Sequence, residues 1–234
     1  MKNLVIIGDS NAVGYWPRNG SVVPVFDNFF VEKNYNFTNL ASGGQSNFNS
    51  IRKLQSFLST QPIDLLIWMV TEPYRDLPTY RPGGNHSDDI LHTTLNKFES
   101  LHALNFQLLK DNFIRLKTII PAEIPILLIE GLCQTYGIES ELPNNCIIIK
   151  DWFQRFYNGK MGIISTSQTL DALMRFYVKQ KCQMVNEINE IIDAYDAFSI
   201  FRQQRPNIWN DGTHFNEDHL KILCNEIYEQ IGKL

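Results

Sequence analysis

A serine near the start of the chain and a histidine near its end stand in contexts that suit acid–base chemistry. Ser10 lies in VIIGDSNAVG, after an apolar run, and His214 lies in NDGTHFNEDHL, before an amphipathic C-terminal segment. A serine hydroxyl is a poor nucleophile at neutral pH and needs a base, usually a histidine held in one tautomer by a carboxylate. Asp211 precedes His214 by three residues across a glycine-containing turn. This spacing would let the carboxylate bind one imidazole nitrogen and leave the other to face Ser10.

Several short apolar runs that end at glycine or proline are typical of buried strands, and they would have to position these groups. The runs predict strands at Leu4 to Ile7, Asn36 to Leu40, Ile63 to Val70 and Ile124 to Gly131. Helical patterns separate them, over 87–117 (with Ser87 as N-cap), over 167–195 and from about residue 216 to the end of the chain. Strands that alternate with helices indicate a three-layer α/β/α sandwich with a central parallel sheet.

We expect one domain over residues 1–234, because no repeat and no linker rich in Gly, Pro or Ser interrupts the pattern. Residues 135–166 fit the alternation least well and suggest an insertion, although NNCIIIKDWF in this region could add a strand. Sites in such sheets lie at the carboxyl ends of the strands. That edge would bring together Gly8–Asp9–Ser10, Gly43–Gly44 and Thr71–Glu72.

Three blocks of the chain together resemble the SGNH (GDSL-like) hydrolase superfamily. GDS at 8–10 resembles the first block of that family, NLASGGQS at 39–46 the second, and DGTHFN at 211–216 the last. The blocks occur in the expected order and span nearly the whole chain. GDS alone is a weak signal, whereas DGTHFN, about twenty residues before the end of the chain and followed by a helix, is much more specific.

The resemblance implies a flavodoxin-like fold and hydrolysis of an ester, often an acetyl ester on a carbohydrate. It assigns Ser10 as nucleophile, His214 as general base and acid, and Asp211 as the residue that orients His214. The backbone N–H groups of Ser10 and Gly44 would stabilise the oxyanion. No metal and no cofactor are implied, and the expected partner is a small-molecule or glycan ester. The oligomeric state is left open.

The chain departs from the family pattern after its third predicted strand. The family normally has GxND there, with an Asn side chain that donates to the oxyanion, but this chain reads VTEP at 70–73. An ionised Glu72 accepts hydrogen bonds and would repel an oxyanion. Three arrangements could compensate: Glu72 pairs with Arg75, the Thr71 hydroxyl donates instead, or Arg75 supplies positive charge.

Otherwise the domain is a catalytically silent glycan-binding or structural module, for example in a virion or another assembly. An acyltransferase would use the same three catalytic residues as the esterase.

Composition and the remaining motifs indicate which partners, which location and which kinds of site to expect. A net charge of −4 gives no electrostatic reason to expect a nucleic acid or an anionic membrane as partner. The apolar run near the N-terminus is too short for a signal peptide, so we expect a cytoplasmic protein, or one released by lysis or virion assembly. HSDDILH at 86–92 is read as a helix start rather than a metal site, and His219 as a surface residue. GDSNAVG lacks the glycine and lysine pattern of nucleotide-binding loops.

The cysteines and the aromatic residues near Ser10 say less about function than the motifs above. The four cysteines are predicted to be buried thiols, because none shows the CxxC spacing of a metal site or redox pair. The aromatic residues Tyr15 and Trp16, just after Ser10, suit either a substrate pocket or the core, and the sequence leaves both open.

Overall fold

The computed structural model describes residues 1–17, 20–77, 97–98, 101–131, 135, 137–150, 152 and 214–234. Five parallel strands in this part of the chain form one sheet in the order β2-β1-β3-β4-β5. This order is that of flavodoxin-like folds. The strands are β1 (Asn3–Ile7), β2 (Asn36–Asn39), β3 (Leu65–Val70), β4 (Ile126–Glu130) and β5 (Cys146–Ile149).

Helices cover both faces of the sheet, because the central strands are apolar on both sides. In β1, Leu4 and Ile6 enter one core cluster, while Val5 and Ile7 enter the other. The described helices are α1 (Ser10–Val13), α2 (Val25–Glu32), α3 (Asn47–Leu58), α4 (Leu101–Ile119) and α5 (Glu217–Ile231). Helices α2 and α5 supply side chains to the first cluster, and α3 and α4 to the second. The predicted three-layer α/β/α sandwich is therefore confirmed.

All four predicted strands are present, with ends that differ by up to two residues from the predicted ones. The possible extra strand in NNCIIIKDWF is β5, at the edge of the sheet beside β4. The long predicted helix is observed as α4 from Leu101, while its predicted start at Ser87 lies outside the described residues. The predicted helix over 167–195 and the HSDDILH stretch also lie outside them.

Helix α5 closes the chain with the predicted apolar face inward. Its N-cap is Asn216, whose Oδ1 accepts a hydrogen bond from the N–H of His219 at 2.9 Å. The expectation that His219 lies on the surface was wrong. Its ring is buried, stacks on Phe215 with centroids 5.6 Å apart, and lies beside Trp152. Burial lowers the pKa of His219 because the charged imidazolium loses water.

The thiols of Cys146 and Cys224 are free, and burial raises the pKa of each to about 12. Cys224 is buried and Cys146 partly so; Cys133 and Cys182 lie outside the described residues.

None of the described helices combines the length and the apolar character that crossing a membrane requires.

A 3-10 turn at Pro73–Asp76 follows β3 and is tied to two helices by Asp76. One carboxylate oxygen accepts from the backbone N–H of Phe48 in α3 at 2.7 Å, and the other from Nδ2 of Asn112 in α4 at 2.8 Å. Burial raises the pKa of Asp76 from 3.8 to about 6, although these hydrogen bonds oppose the shift.

We predict that Asp76 makes folding depend on pH between about 4 and 6. Because its pKa is raised in the folded state, the contribution of the protonated carboxyl to stability is fully present at low pH. It is lost as the pH rises through the folded pKa. Denaturant unfolding of Asp76→Asn should therefore show a gain in relative stability over the natural protein from pH 4 to pH 6. Asp111→Asn, which alters an exposed carboxylate of α4, should show no such gain, and equal behaviour of both variants would contradict the prediction.

Candidate active site

The first loop of the site turns sharply after β1 because of Gly8. Its φ is +153°, and a Cβ at this position would lie 2.8 Å from the Cβ of Ala12 and 3.0 Å from the carbonyl oxygen of Met69. Asp9 then caps α1, since its Oδ1 accepts from the N–H of Asn11 at 3.0 Å. Ser10 is the first residue of α1 and is half-buried, whereas Asp9 is buried. The turn thus presents Ser10 at the carboxyl end of a central strand.

The second loop lies beside the first because the β1–β2 ladder continues past the strand ends. The N–H of Leu40 donates to the carbonyl of Ile6 at 2.9 Å, and the N–H of Ser42 donates to the carbonyl of Gly8 at 3.4 Å. Gly44 follows with φ of +66°, a left-handed conformation that glycine adopts without steric cost. Neither the N–H of Ser10 nor that of Gly44 has an acceptor within the described residues. An oxyanion donor must lack such an acceptor, and within the described residues both N–H groups meet this requirement.

Trp16 contacts all three sequence blocks. Its indole Nε1–H donates to the carbonyl oxygen of Ser10 at 2.7 Å. Its ring borders Gly43, where a Cβ would lie 3.6 Å from the nearest ring carbon. The same ring stacks on the imidazole of His214, with centroids 5.4 Å apart and planes inclined by 28°. The structure therefore places residues from the two ends of the chain against one aromatic side chain.

Ser10 and His214 are neighbours through Trp16, but no hydrogen bond joins the Ser10 hydroxyl to the imidazole, both of which are described. Catalytic hydrogen bonds are often long before substrate binds and tighten in the Michaelis complex. Asp211 lies outside the described residues, so its place beside His214 stays a prediction.

The third loop contains Glu72, which takes the position expected for an oxyanion-binding Asn. Its Oε2 accepts from Nε of Arg75 at 2.7 Å, and both side chains are buried. The Nη1 of Arg75 also lies 3.3 Å from Oδ2 of the buried Asp9. Glu72 is thus paired with Arg75, which is the first of the three arrangements considered from the sequence.

Thr71 takes part in the same network and does not present a free proton. Its Oγ1–H donates to Oδ2 of Asp9 at 2.9 Å. A hydroxyl has one proton, so Thr71 could donate to an oxyanion only after rotating away from Asp9. Its role as an oxyanion donor remains a prediction that requires this rotation.

Sequence reasoning missed a contact that holds the second and third loops together. Asn47, the first residue of α3, donates from Nδ2 to the carbonyl of Thr71 at 2.8 Å and accepts from the N–H of Thr71 at 3.0 Å. An asparagine amide can satisfy both backbone polar groups of one residue in this way. Nothing in the sequence distinguishes Asn47 from the other asparagines of this region, so no pattern could have revealed the contact.

The expectation that the chain binds no metal stays a prediction. Those residues contain no group of three or more His, Cys, Asp or Glu side chains that could hold a metal ion. The polar groups that surround Ser10 are instead backbone N–H donors, an aromatic ring, an imidazole and a buried ion-pair network. Such a set suits acyl transfer, which needs a nucleophile, a base and oxyanion donors.

No protein-family model matches the chain, and no curated protein matches it. Solved structures that resemble it include a lipase/acylhydrolase from Enterococcus faecalis, with 14% sequence identity, 99% of this chain and 95% of that chain covered, and a TM-score of 0.46. Another is a catalytic mutant of an acetylxylan esterase from Geobacillus stearothermophilus, with 14% identity, coverage of 99% and 94%, and a TM-score of 0.42. A GDSL-like lipase from Bacteroides thetaiotaomicron has 13% identity, coverage of 77% and 87%, and a TM-score of 0.39.

We predict that Arg75→Met strongly destabilises the protein. The change leaves the carboxylates of Asp9 and Glu72 buried without their shared cation. Breaking a buried ion pair on one side typically costs about 3–5 kcal/mol. Equilibrium unfolding in urea would measure the loss. Glu72→Gln, which keeps an acceptor for Arg75, should lose less stability than Arg75→Met. Equal losses would mean that the second pair, between Arg75 and Asp9, contributes nothing.

Proposed function

We propose that the protein is a serine esterase that hydrolyses an acyl ester, most simply an acetyl ester on a carbohydrate. The observation that carries this proposal is the contact of Trp16 with both the Ser10 backbone and the His214 ring. It supports the convergence of a candidate nucleophile and a candidate base that are more than two hundred residues apart in the chain. The choice of an acetyl group and a carbohydrate rests on the resemblance of the three sequence blocks.

In the proposed mechanism, Ser10 Oγ attacks the ester carbonyl carbon while His214 takes the hydroxyl proton. Asp211 would hold the imidazole in the required tautomer. The carbonyl oxygen becomes an oxyanion and accepts hydrogen bonds from the N–H groups of Ser10 and Gly44. Collapse of this intermediate breaks the bond to the alcohol, which leaves with the proton from His214. Water then attacks the acyl-enzyme by the same steps, so that the acid is released and Ser10 is restored.

The paired state of Glu72 supports this mechanism, because a carboxylate that faces Arg75 repels a nearby oxyanion less than a bare one. The pairing does not replace the missing Asn donor. Removal of one oxyanion donor costs roughly 10²–10³ in turnover in a well-studied protease. We therefore expect hydrolysis to be slower than in an enzyme with three donors, unless Thr71 rotates to supply the third.

We predict that Ser10→Ala lowers the hydrolysis of p-nitrophenyl acetate at least about a thousandfold, since the nucleophile of the covalent route is lost. A matched control is Ser59→Ala, which alters an exposed serine at the end of α3, and it should hydrolyse the ester at the natural rate. A fluorophosphonate probe should label the natural protein at Ser10 and should label His214→Ala far more slowly.

Equal hydrolysis rates for the natural protein and Ser10→Ala would favour the silent glycan-binding or structural module. Transfer of the acetyl group to an added alcohol in preference to water would identify the acyltransferase instead.

We also predict that Trp16 acts as a positioning residue for His214. Trp16→Leu removes the stacking surface of the imidazole and the hydrogen bond to Ser10, so kcat should fall about tenfold or more, as expected when a catalytic group is misplaced. Trp16→Phe keeps an aromatic face and should retain more activity than Trp16→Leu. Kinetics with p-nitrophenyl acetate would separate kcat from KM. An effect confined to KM would contradict a role in placing the base.

A further inference from the structure

An open groove adjoins the candidate active site and runs along the outer side of α3. Its volume is about 690 Å³, and the second loop forms one wall. Gly43 both lines the groove and contacts the Trp16 ring, so the groove begins beside the indole that links Ser10 and His214. The residues that line the groove include Ser42, Gly43, Asn49, Arg52, Lys53 and Phe57.

The groove is positively charged, although the chain as a whole carries a net charge of −4. Among the described residues, its lining contains Arg52 and Lys53 and no aspartate or glutamate. Lys53 donates to the carbonyl oxygen of Leu40 at 3.3 Å and to the hydroxyl of Ser42, so its charge is fixed at the wall. Arg52 is exposed and has no carboxylate partner within the described residues. An anion in this groove would therefore meet two cations from the described part of the chain, and no carboxylate from the residues that line it there.

The other side chains of the groove suit a sugar. Ser42 and Asn49 offer a hydroxyl and an amide that can exchange hydrogen bonds with ring hydroxyl groups. The half-buried ring of Phe57 adds an apolar surface on which a sugar face can lie. The planar guanidinium of Arg52 matches a carboxylate in a bidentate geometry. Together these groups fit a sugar that carries a carboxylate better than they fit a neutral sugar.

We propose that this groove binds the carbohydrate part of an acylated acidic oligosaccharide, with a uronic acid carboxylate near Arg52. The inference deepens the proposed esterase, because it assigns a substrate class to the same site. The acyl ester would lie beside Ser10 and Gly44, and the sugar chain would extend from Gly43 along α3. The attraction between carboxylate and guanidinium weakens at high ionic strength, because salt screens exposed charges.

The test measures binding without chemistry, using the Ser10→Ala protein in calorimetric titrations at low salt. The probes are unacetylated trigalacturonate and the neutral galactose trimer of the same length. We expect the acidic trimer to bind at least about tenfold more tightly, a difference of about 1.4 kcal/mol. Arg52→Gln should reduce binding of the acidic trimer at least fivefold and leave that of the neutral trimer nearly unchanged. Lys233→Gln, which removes an exposed cation in the C-terminal segment after α5, is the charge-matched control and should bind as before.

Equal affinity for the two trimers, or equal binding of the acidic trimer by the Arg52→Gln and Lys233→Gln proteins, would overturn the groove proposal. Its failure is distinguishable from failure of the esterase. Selective binding of the acidic trimer together with no Ser10-dependent hydrolysis would keep the groove and identify a glycan-binding module. Hydrolysis without selective binding would keep the esterase and reject the acidic substrate.

Discussion

The arrangement of the candidate site depends on one guanidinium shared by two buried carboxylates. Arg75 pairs with Glu72 and with Asp9, and so joins the loop after β3 to the loop after β1. Burying three charged groups costs several kcal/mol per ion unless close partners compensate. The Thr71 hydroxyl donates an additional hydrogen bond to Asp9 and reduces this cost. The network joins the two loops that flank Ser10, and in it the Glu72 carboxylate faces Arg75.

The sheet topology explains why distant parts of the chain meet at this network. Strands β1 and β3 are adjacent and parallel, so the loops after them must start side by side. The β1–β2 ladder does the same for the second loop. The last block arrives by a different route, since α5 packs on the α2 side of the sheet and its start carries His214 to Trp16. The sheet topology therefore places the loops after β1, β2 and β3 side by side, and the packing of α5 brings His214 to Trp16.

Much of the fold was predictable because apolar runs, glycines and prolines act locally. The strands and the final helix could be read from the sequence, and a parallel sheet then fixed which edge carries the candidate site. The contacts that the sequence could not predict are those between side chains that are distant in sequence. Three contacts are of this kind: the ion pair of Asp9 with Arg75, the two hydrogen bonds between Asn47 and Thr71, and the contacts of Trp16 with Ser10 and His214. The burial of His219 was missed partly for the same reason, because Trp152, which covers one side of its ring, is distant in sequence, although Phe215 is only four residues away.

The exchange of an expected Asn for Glu72 has a compensating partner three residues later. Asp9 with a neutral Asn would place one net negative charge behind Ser10. Counting these three described residues alone, Asp9 and Glu72 with Arg75 also sum to one net negative charge, since the guanidinium is always protonated. In the proposed mechanism, these three charges would repel an oxyanion about as much as Asp9 beside a neutral Asn would, and the difference is the loss of one donor. In that mechanism, the sequence departure weakens oxyanion stabilisation through the loss of the Asn donor, and the N–H groups of Ser10 and Gly44 supply most of what remains.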